Sequence, residues 1–252
     1  MLYILPGHTD LDSKKFNLKN IRYLSSITKF KISFLRVVLL TFTDEKAEVK
    51  KTGTTTIGMI CKDGVVLAAE KKSTMGYLVA SKESEKILPI DDRIVMTIAG
   101  ASGDAQALAR YMRAELKLFS IQNARKISVK GAASLLSNVL QSGRWSFVPY
   151  MVQLIIGGYD ENGPSLFSLD AIGGWEQEKK FFSTGSGSPM ALGVLEDSYK
   201  EGISIEEGSK LAVRGIKAAI ERDIGSGGKG IDIVAINKDG IKTNVYEFSK
   251  VK

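Results

Sequence analysis

The 252-residue chain reads as an α+β protein in which two mainly antiparallel sheets stack face to face with helices outside. Three observations lead there. Strand-patterned segments fall into two blocks, and each block is followed by a pair of helix-patterned segments. Short turns join the strands inside a block, as hairpins require. The pattern also begins abruptly at Thr54, after a stretch of basic sequence with no sustained period.

Taken in order, Thr54–Cys61 and Val65–Lys71 are β-rich runs around the turn Lys62-Asp63-Gly64, a hairpin signal. Short strands follow at Leu78–Ala80, Lys86–Pro89 and Arg93–Ala99. Ala105, Leu108, Ala109, Met112, Leu116 and Phe119 form one stripe, so 102–121 reads as a helix with Ser102 as its N-cap. A second helix covers Ser128–Gln141. The second block holds strands at Met151–Tyr159, Ser165–Ala171 and Lys179–Ser183, then helices at Pro189–Tyr199 and Ile205–Arg222. Ser204-Ile205-Glu206-Glu207 is a capping box that opens the last helix. Strands at Ile231–Asn237 and Thr243–Phe248 complete the sheets.

Composition removes several kinds of chemistry. The single cysteine, Cys61, excludes an internal disulfide framework and a multi-cysteine zinc site. His8 is the only histidine and precedes the patterned body, so no Ser-His-Asp or Cys-His mechanism and no histidine metal site is expected there. The net charge of +7 is concentrated in residues 1–53, which hold ten Lys/Arg against five Asp/Glu. The body is close to neutral and carries no basic block with interleaved aromatics, so neither a nucleic-acid nor a membrane partner is expected. Within the leader, residues 32–42 are apolar but too short to span a bilayer and are broken by Arg36. Residues 1–53 are therefore expected to be a leader that maturation removes, and 54–252 the working domain.

Lys51-Thr52-Gly53-Thr54-Thr55-Thr56-Ile57-Gly58 marks that boundary. Its ordinary reading is a β-branched strand opening after a turn glycine. Its chemical reading is a self-cleavage site. The Gly53 carbonyl is unhindered, and Thr54 carries a hydroxyl next to it. Once cut, Thr54 would own a free amine with a pKa near ~8, able to act as a base beside its own Oγ. Glu70 and Lys72 continue the strand face of Val66 and Ala68, as a solvated strand end or as a buried ion pair that Lys86 could join. Gly100 lies where a strand passes into a helix. It is either a plain turn glycine or part of a nest of N–H groups suited to an oxyanion. Asp223 follows a helix C-terminus, where the helix dipole disfavours an acid, and precedes Gly225-Ser226-Gly227-Gly228. That glycine run lacks the phosphate-loop pattern and leads into a strand.

Together, Gly53-Thr54-Thr55-Thr56-Ile57-Gly58, the strand ending Glu70-Lys71-Lys72, Lys86, Thr97-Ile98-Ala99-Gly100, Thr184-Gly185-Ser186-Gly187-Ser188-Pro189 and Asp223-x-x-Ser226-Gly227-Gly228 resemble an archaeal proteasome β subunit. The resemblance runs from Gly53 to about Phe248 in the family's order. It implies the N-terminal-nucleophile hydrolase fold, a four-layer αββα sandwich, in agreement with the layers read above. It also implies a cytoplasmic threonine endopeptidase that needs no cofactor or metal. Such a subunit sits in stacked seven-membered rings with α subunits and other β subunits, and it degrades unfolded polypeptides passed through the α ring by a regulatory ATPase.

By position, Thr54 would be the nucleophile after cleavage of Gly53–Thr54, Glu70 the acid and Lys86 the catalytic lysine. The Gly100 N–H would form the oxyanion hole, and Ser186, Asp223 and Ser226 would hold the Thr54 amine and a supporting water. Ser73, Ile98 and Ser102 match the family's specificity pocket. The sequence departs from the family pattern in having Glu70 where Asp is common and Lys72 where Arg is common. Two other readings share the fold: a ring subunit without activity, and an amidase for small substrates.

Overall fold

A computed structural model describes residues 53–143 and 150–248. The leader, up to residue 52, lies outside the described residues. Alternating side chains place one strand face against helices and the other against a second sheet, and the described residues form four layers on that principle.

The first sheet has the order β10-β1-β2-β11-β12, with β1 Thr56–Cys61, β2 Gly64–Glu70, β10 Phe181–Thr184, β11 Gly230–Asn237 and β12 Gly240–Glu247. The second has the order β5-β6-β7-β8-β9, with β5 Ile87–Asp91, β6 Ile94–Gly100, β7 Val152–Asp160, β8 Gly163–Leu169 and β9 Trp175–Glu178. Both are antiparallel throughout. A separate hairpin pairs β3 Ser73–Met75 with β4 Leu78–Ser81.

Three apolar clusters separate the layers. Val65, Leu67 and Ala69 of β2 meet Ile155 and Leu166 between the sheets. Their neighbours Val66 and Ala68 face outward against Leu211, Ala212 and Ile216 of helix α4 Ile205–Ile220 and Ala191 and Leu195 of helix α3 Ser188–Ser198. On the far side, Met96, Ile98, Leu154, Ile156 and Phe167 pack on helix α1 Ser102–Asn123 and helix α2 Val129–Gly143. Each fully buried aliphatic side chain contributes about 1.5–3 kcal/mol. Among the described residues, the three clusters are built from Ile57 onward. The expected αββα sandwich is present.

Boundaries differ from the sequence reading at informative places. Ser102 is not a cap: Ala101 is the N-cap of α1 and makes no side-chain cap bond. Strand pairing explains this, because β6 runs to Gly100 and the Ala101 N–H is already bonded to Met151 O on the β7 side. The expected strand Lys179–Ser183 is β10, shifted to Phe181–Thr184, and β9 at Trp175–Glu178 was not expected. The two lie in different sheets, and the chain crosses between the sheets at Lys179-Lys180. β3 was not expected. By contrast, the Ser204 capping box is formed, with Ser204 and Glu207 bonded in both directions. Among the described residues no helix is long and apolar enough to cross a membrane.

Candidate active site

β1 and β2 run antiparallel with Thr56 opposite Ala69, so the residues preceding β1 lie beside the end of β2. This register brings Thr54 and Thr55 to Glu70. The strand ends there, and the Glu70 side chain is fully buried. A buried carboxylate needs several donors to be tolerated. Glu70 has them: Oε1 accepts from the Thr55 N–H at 3.3 Å, and Oε2 from the Lys72 N–H at 2.7 Å and the Gly227 N–H at 2.9 Å. Lys86, just before β5, completes the set with an ion pair to Oε1.

Lys86 has a second contact. Its Nζ lies 2.8 Å from Thr54 Oγ1, and that hydroxyl in turn donates to Gly53 O at 2.6 Å. A carboxylate, an amine, a hydroxyl and the carbonyl before it therefore form one continuous line. Thr54 is buried, 4% exposed.

Burial sets the electrostatics of the pair. It pushes the Lys86 ammonium below its ordinary range, against the opposing attraction of Glu70. It also pushes Glu70 above its ordinary 4.5, while Lys86 and the N–H groups of Lys72 and Gly227 pull the other way. A lysine held down by burial reaches its neutral form closer to neutral pH, which a proton acceptor beside a hydroxyl requires. Cys61 offers no competing nucleophile, because burial pushes its thiol up to about 12.

The other side of Thr54 is held by two loops. Gly185 has φ +92, and a Cβ there would stand 2.1 Å from Thr54 O, so only glycine lets this loop close on Thr54. Ser186 next to it accepts from the Thr54 N–H at 3.2 Å and donates to Asp223 Oδ2 at 2.6 Å. Ser226 donates to the same oxygen at 2.6 Å and lies 2.6 Å from Thr55 Oγ1. An ionised Asp223 is acceptor-only, so both serines must donate to it. Ser226 is then left as an acceptor for the Thr55 hydroxyl. Gly225 N–H closes the loop onto Asp223 Oδ1 at 3.0 Å.

Gly100 ends β6 with φ +114. The Ile98 N–H bonds to Lys86 O, and the Ala101 N–H to Met151 O. By strand alternation the Gly100 N–H faces the Lys86 side.

The structure thus gathers Gly53, Thr54, Glu70, Lys86, Ser186, Asp223 and Ser226 into one hydrogen-bonded cluster. Lys72 departs from the reading above. β2 ends at Glu70, so Lys72 lies beyond the strand, and its Nζ donates to Ile224 O rather than to an acid. The buried ion pair is Glu70–Lys86. Ser73 begins β3, Ile98 lies in the cluster between the second sheet and α1–α2, and Ser102 is exposed at the start of α1. Of these three, Ile98 touches the Thr54 cluster through its backbone, its N–H bonding to Lys86 O at 2.9 Å. Thr55, Thr74 and Gly227 were not singled out from the sequence. Gly53 N–H donates to Thr74 Oγ1 at 3.3 Å. The run of three threonines was the only signal for Thr55, and β-propensity accounts for such a run equally well.

The pair predicts a pH dependence of stability. With Lys86→Met, Glu70 loses the cation that holds its pKa down and rises further. A carboxyl raised in the fold contributes stability that is full below about pH 4.5, its unfolded value, and is lost as pH rises through the folded value. Lys86→Met should therefore be close to wild type in urea unfolding near pH 4.5. It should fall behind as pH rises, by about 3–5 kcal/mol once Glu70 is ionised and unpaired. A pH-independent difference would contradict the buried pair.

Comparison with known proteins supplies the family. The sequence model of proteasome subunits matches residues 50–236. A proteasome subunit beta from Methanohalophilus mahii is 54% identical over 190 residues, covering 75% of this chain and 89% of its own length. The subunit of that name from Archaeoglobus profundus is 53% identical over 198 residues, covering 79% and 89%. That from Methanocaldococcus jannaschii is 52% identical over 201 residues, covering 79% and 88%. A family match over residues 50–236, with relatives at about half identity over three quarters or more of the chain, means that the chain belongs to the proteasome subunit family, among its β subunits.

Proposed function

We propose that this subunit is a threonine endopeptidase of the proteasome core, made active by its own cleavage of Gly53–Thr54. One observation carries the reading: Lys86 Nζ stands 2.8 Å from the Thr54 hydroxyl, which is already bonded to the carbonyl of the bond to be cut. In the uncut chain, neutral Lys86 takes the hydroxyl proton as Thr54 Oγ1 attacks the Gly53 carbonyl carbon. The C–N bond then breaks, and Thr54 N leaves with a proton as a free amine. Gly53 is left esterified to Oγ1. Water hydrolyses that ester, giving the Gly53 carboxylate and restoring the hydroxyl.

Peptide hydrolysis repeats the same two steps on a substrate carbonyl, with the new Thr54 amine placed by Ser186 and Asp223. The Gly100 N–H would stabilise the oxyanion in both reactions. Ser73, Ile98 and Ser102 would shape a pocket for apolar residues.

The subunit would work in a ring with other β subunits, stacked on α rings that receive unfolded chains from an ATPase, in the cytoplasm. Assembly is supported by the β3–β4 hairpin, which leaves Met75, Tyr77, Leu78 and Val79 exposed together. The test is turnover of a fluorogenic peptide by assembled particles sampled during maturation. Turnover should rise in proportion to the fraction of chains cut before Thr54. Turnover by uncut particles would overturn the reading.

A further inference from the structure

The backbone of Gly225 lies against Gly53. A Cβ built on Gly225 would stand 2.2 Å from Gly53 Cα, and a Cβ built on Gly53 would stand 1.9 Å from Gly225 Cα. Neither distance is possible between real atoms, so the two glycines form a mutual contact that excludes any side chain from either position. Two hydrogen bonds hold the Gly53–Thr54 peptide unit, Ser186 Oγ on the Thr54 N–H and Thr54 Oγ1 on Gly53 O, and Thr74 Oγ1 holds the Gly53 N–H on the other side of the Cα. The Gly225 wall is itself rigid, because its N–H is bonded to Asp223 Oδ1 and the Ser226 N–H to Asp223 O.

We infer that Gly225 is a positioning residue for the cutting of Gly53–Thr54, acting only while the chain is uncut. The inference rests on the self-cleavage reading and adds a residue that acts in maturation but not in peptide hydrolysis. Hydrogen bonds hold the Gly53 and Thr54 nitrogens and the Gly53 oxygen, but nothing polar can hold the Gly53 Cα. Contact with the Gly225 backbone does so, and it sets where the carbonyl carbon stands relative to Thr54 Oγ1. A side chain at 225 would push Gly53 away from the hydroxyl. Attack geometry is sensitive at this scale, since a shift of about 1 Å costs about 100-fold in rate. After cutting, Gly53 departs and the contact no longer exists. Gly225 is not among the positive-φ glycines, so alanine fits its backbone. Gly53 aside, the nearest neighbour of the added methyl among the described residues is Ser186 Oγ, at 3.1 Å.

The experiment compares Gly225→Ala with wild type in two forms, both in assembled particles. The first is the full chain, with cutting followed by intact mass. The second carries a cleavable fusion partner in place of the leader, so that an added protease exposes Thr54, and peptide turnover is followed. In the first form cutting should slow about 100-fold. In the second, kcat should stay within a few-fold of wild type, with an unchanged pH profile. A variant cut as fast as wild type overturns the inference. Equal losses in both forms also overturn it, and would make Gly225 a support of the Asp223 loop. A wild-type chain that is never cut before Thr54 overturns the self-cleavage reading, and this inference with it.

Discussion

Thr54→Ala is expected to retain its leader indefinitely and to hydrolyse no peptide, while folding and assembling as wild type does. The loss should be at least about 10,000-fold, the scale on which removing a nucleophile acts. No second group can take over. His8 is the only histidine, and the Cys61 thiol is buried and held protonated. Thr55 Oγ1 is committed to Ser226. The fold tolerates the change because Thr54 lies before β1 and takes no part in the three apolar clusters. Its hydroxyl makes two hydrogen bonds, and Lys86 keeps its ion pair when they are lost. A stability change within about 1–2 kcal/mol follows. Urea unfolding and particle size check the structural half, and intact mass with peptide turnover the chemical half. Measurable cutting before residue 54 in this variant would refute the assignment.

Lys86→Arg is the next largest effect and the more discriminating one. Both side chains bring a positive charge to Glu70, so a lysine that only balanced charge would be replaceable. The guanidinium cannot be deprotonated in the fold and so cannot take the Thr54 proton. It is also a planar fork, whereas the site holds a compact ammonium between Glu70 Oε1 and Thr54 Oγ1 with 8% of the side chain exposed. Turnover should fall at least about 100-fold, the contribution usual for a placed proton acceptor, with assembly unchanged. The particles must be supplied with Thr54 already exposed, so that failed maturation is not mistaken for failed catalysis. Near-normal turnover would leave Lys86 with an electrostatic role only.

The main layers were legible in the sequence because they follow from local rules. Alternation in Val65–Glu70 and the stripe through Ala105–Leu116 sort residues to faces without knowledge of the partner. The Ser204 box is local for the same reason. The misreadings all depend on distant pairing. Ser102 has the chemistry of a cap, but Ala101 takes that place because β7 holds its N–H. The sequence placed one strand at Lys179–Ser183, but pairing with β1 puts β10 at Phe181–Thr184 and pairing with β8 makes an unexpected strand of Trp175–Glu178.

The site divides in the same way. Thr54, Glu70 and Lys86 could be placed by their resemblance to a family. The ion-pair partner of Glu70 could not be read from spacing, which favours Lys72 two residues away over Lys86 sixteen residues away. Gly225 was read only as part of a glycine run, because its close approach to Gly53 exists only across 172 residues of folded chain.

The central claim is that Thr54 becomes the first residue of the working subunit. Intact mass of the β chain from purified, active particles, with its N-terminal sequence, tests this most directly. The account predicts a chain that has lost residues 1–53 and begins Thr54-Thr55-Thr56-Ile57, with a free amine. An active particle whose β chain still carries Gly53, or begins at any other residue, would contradict it.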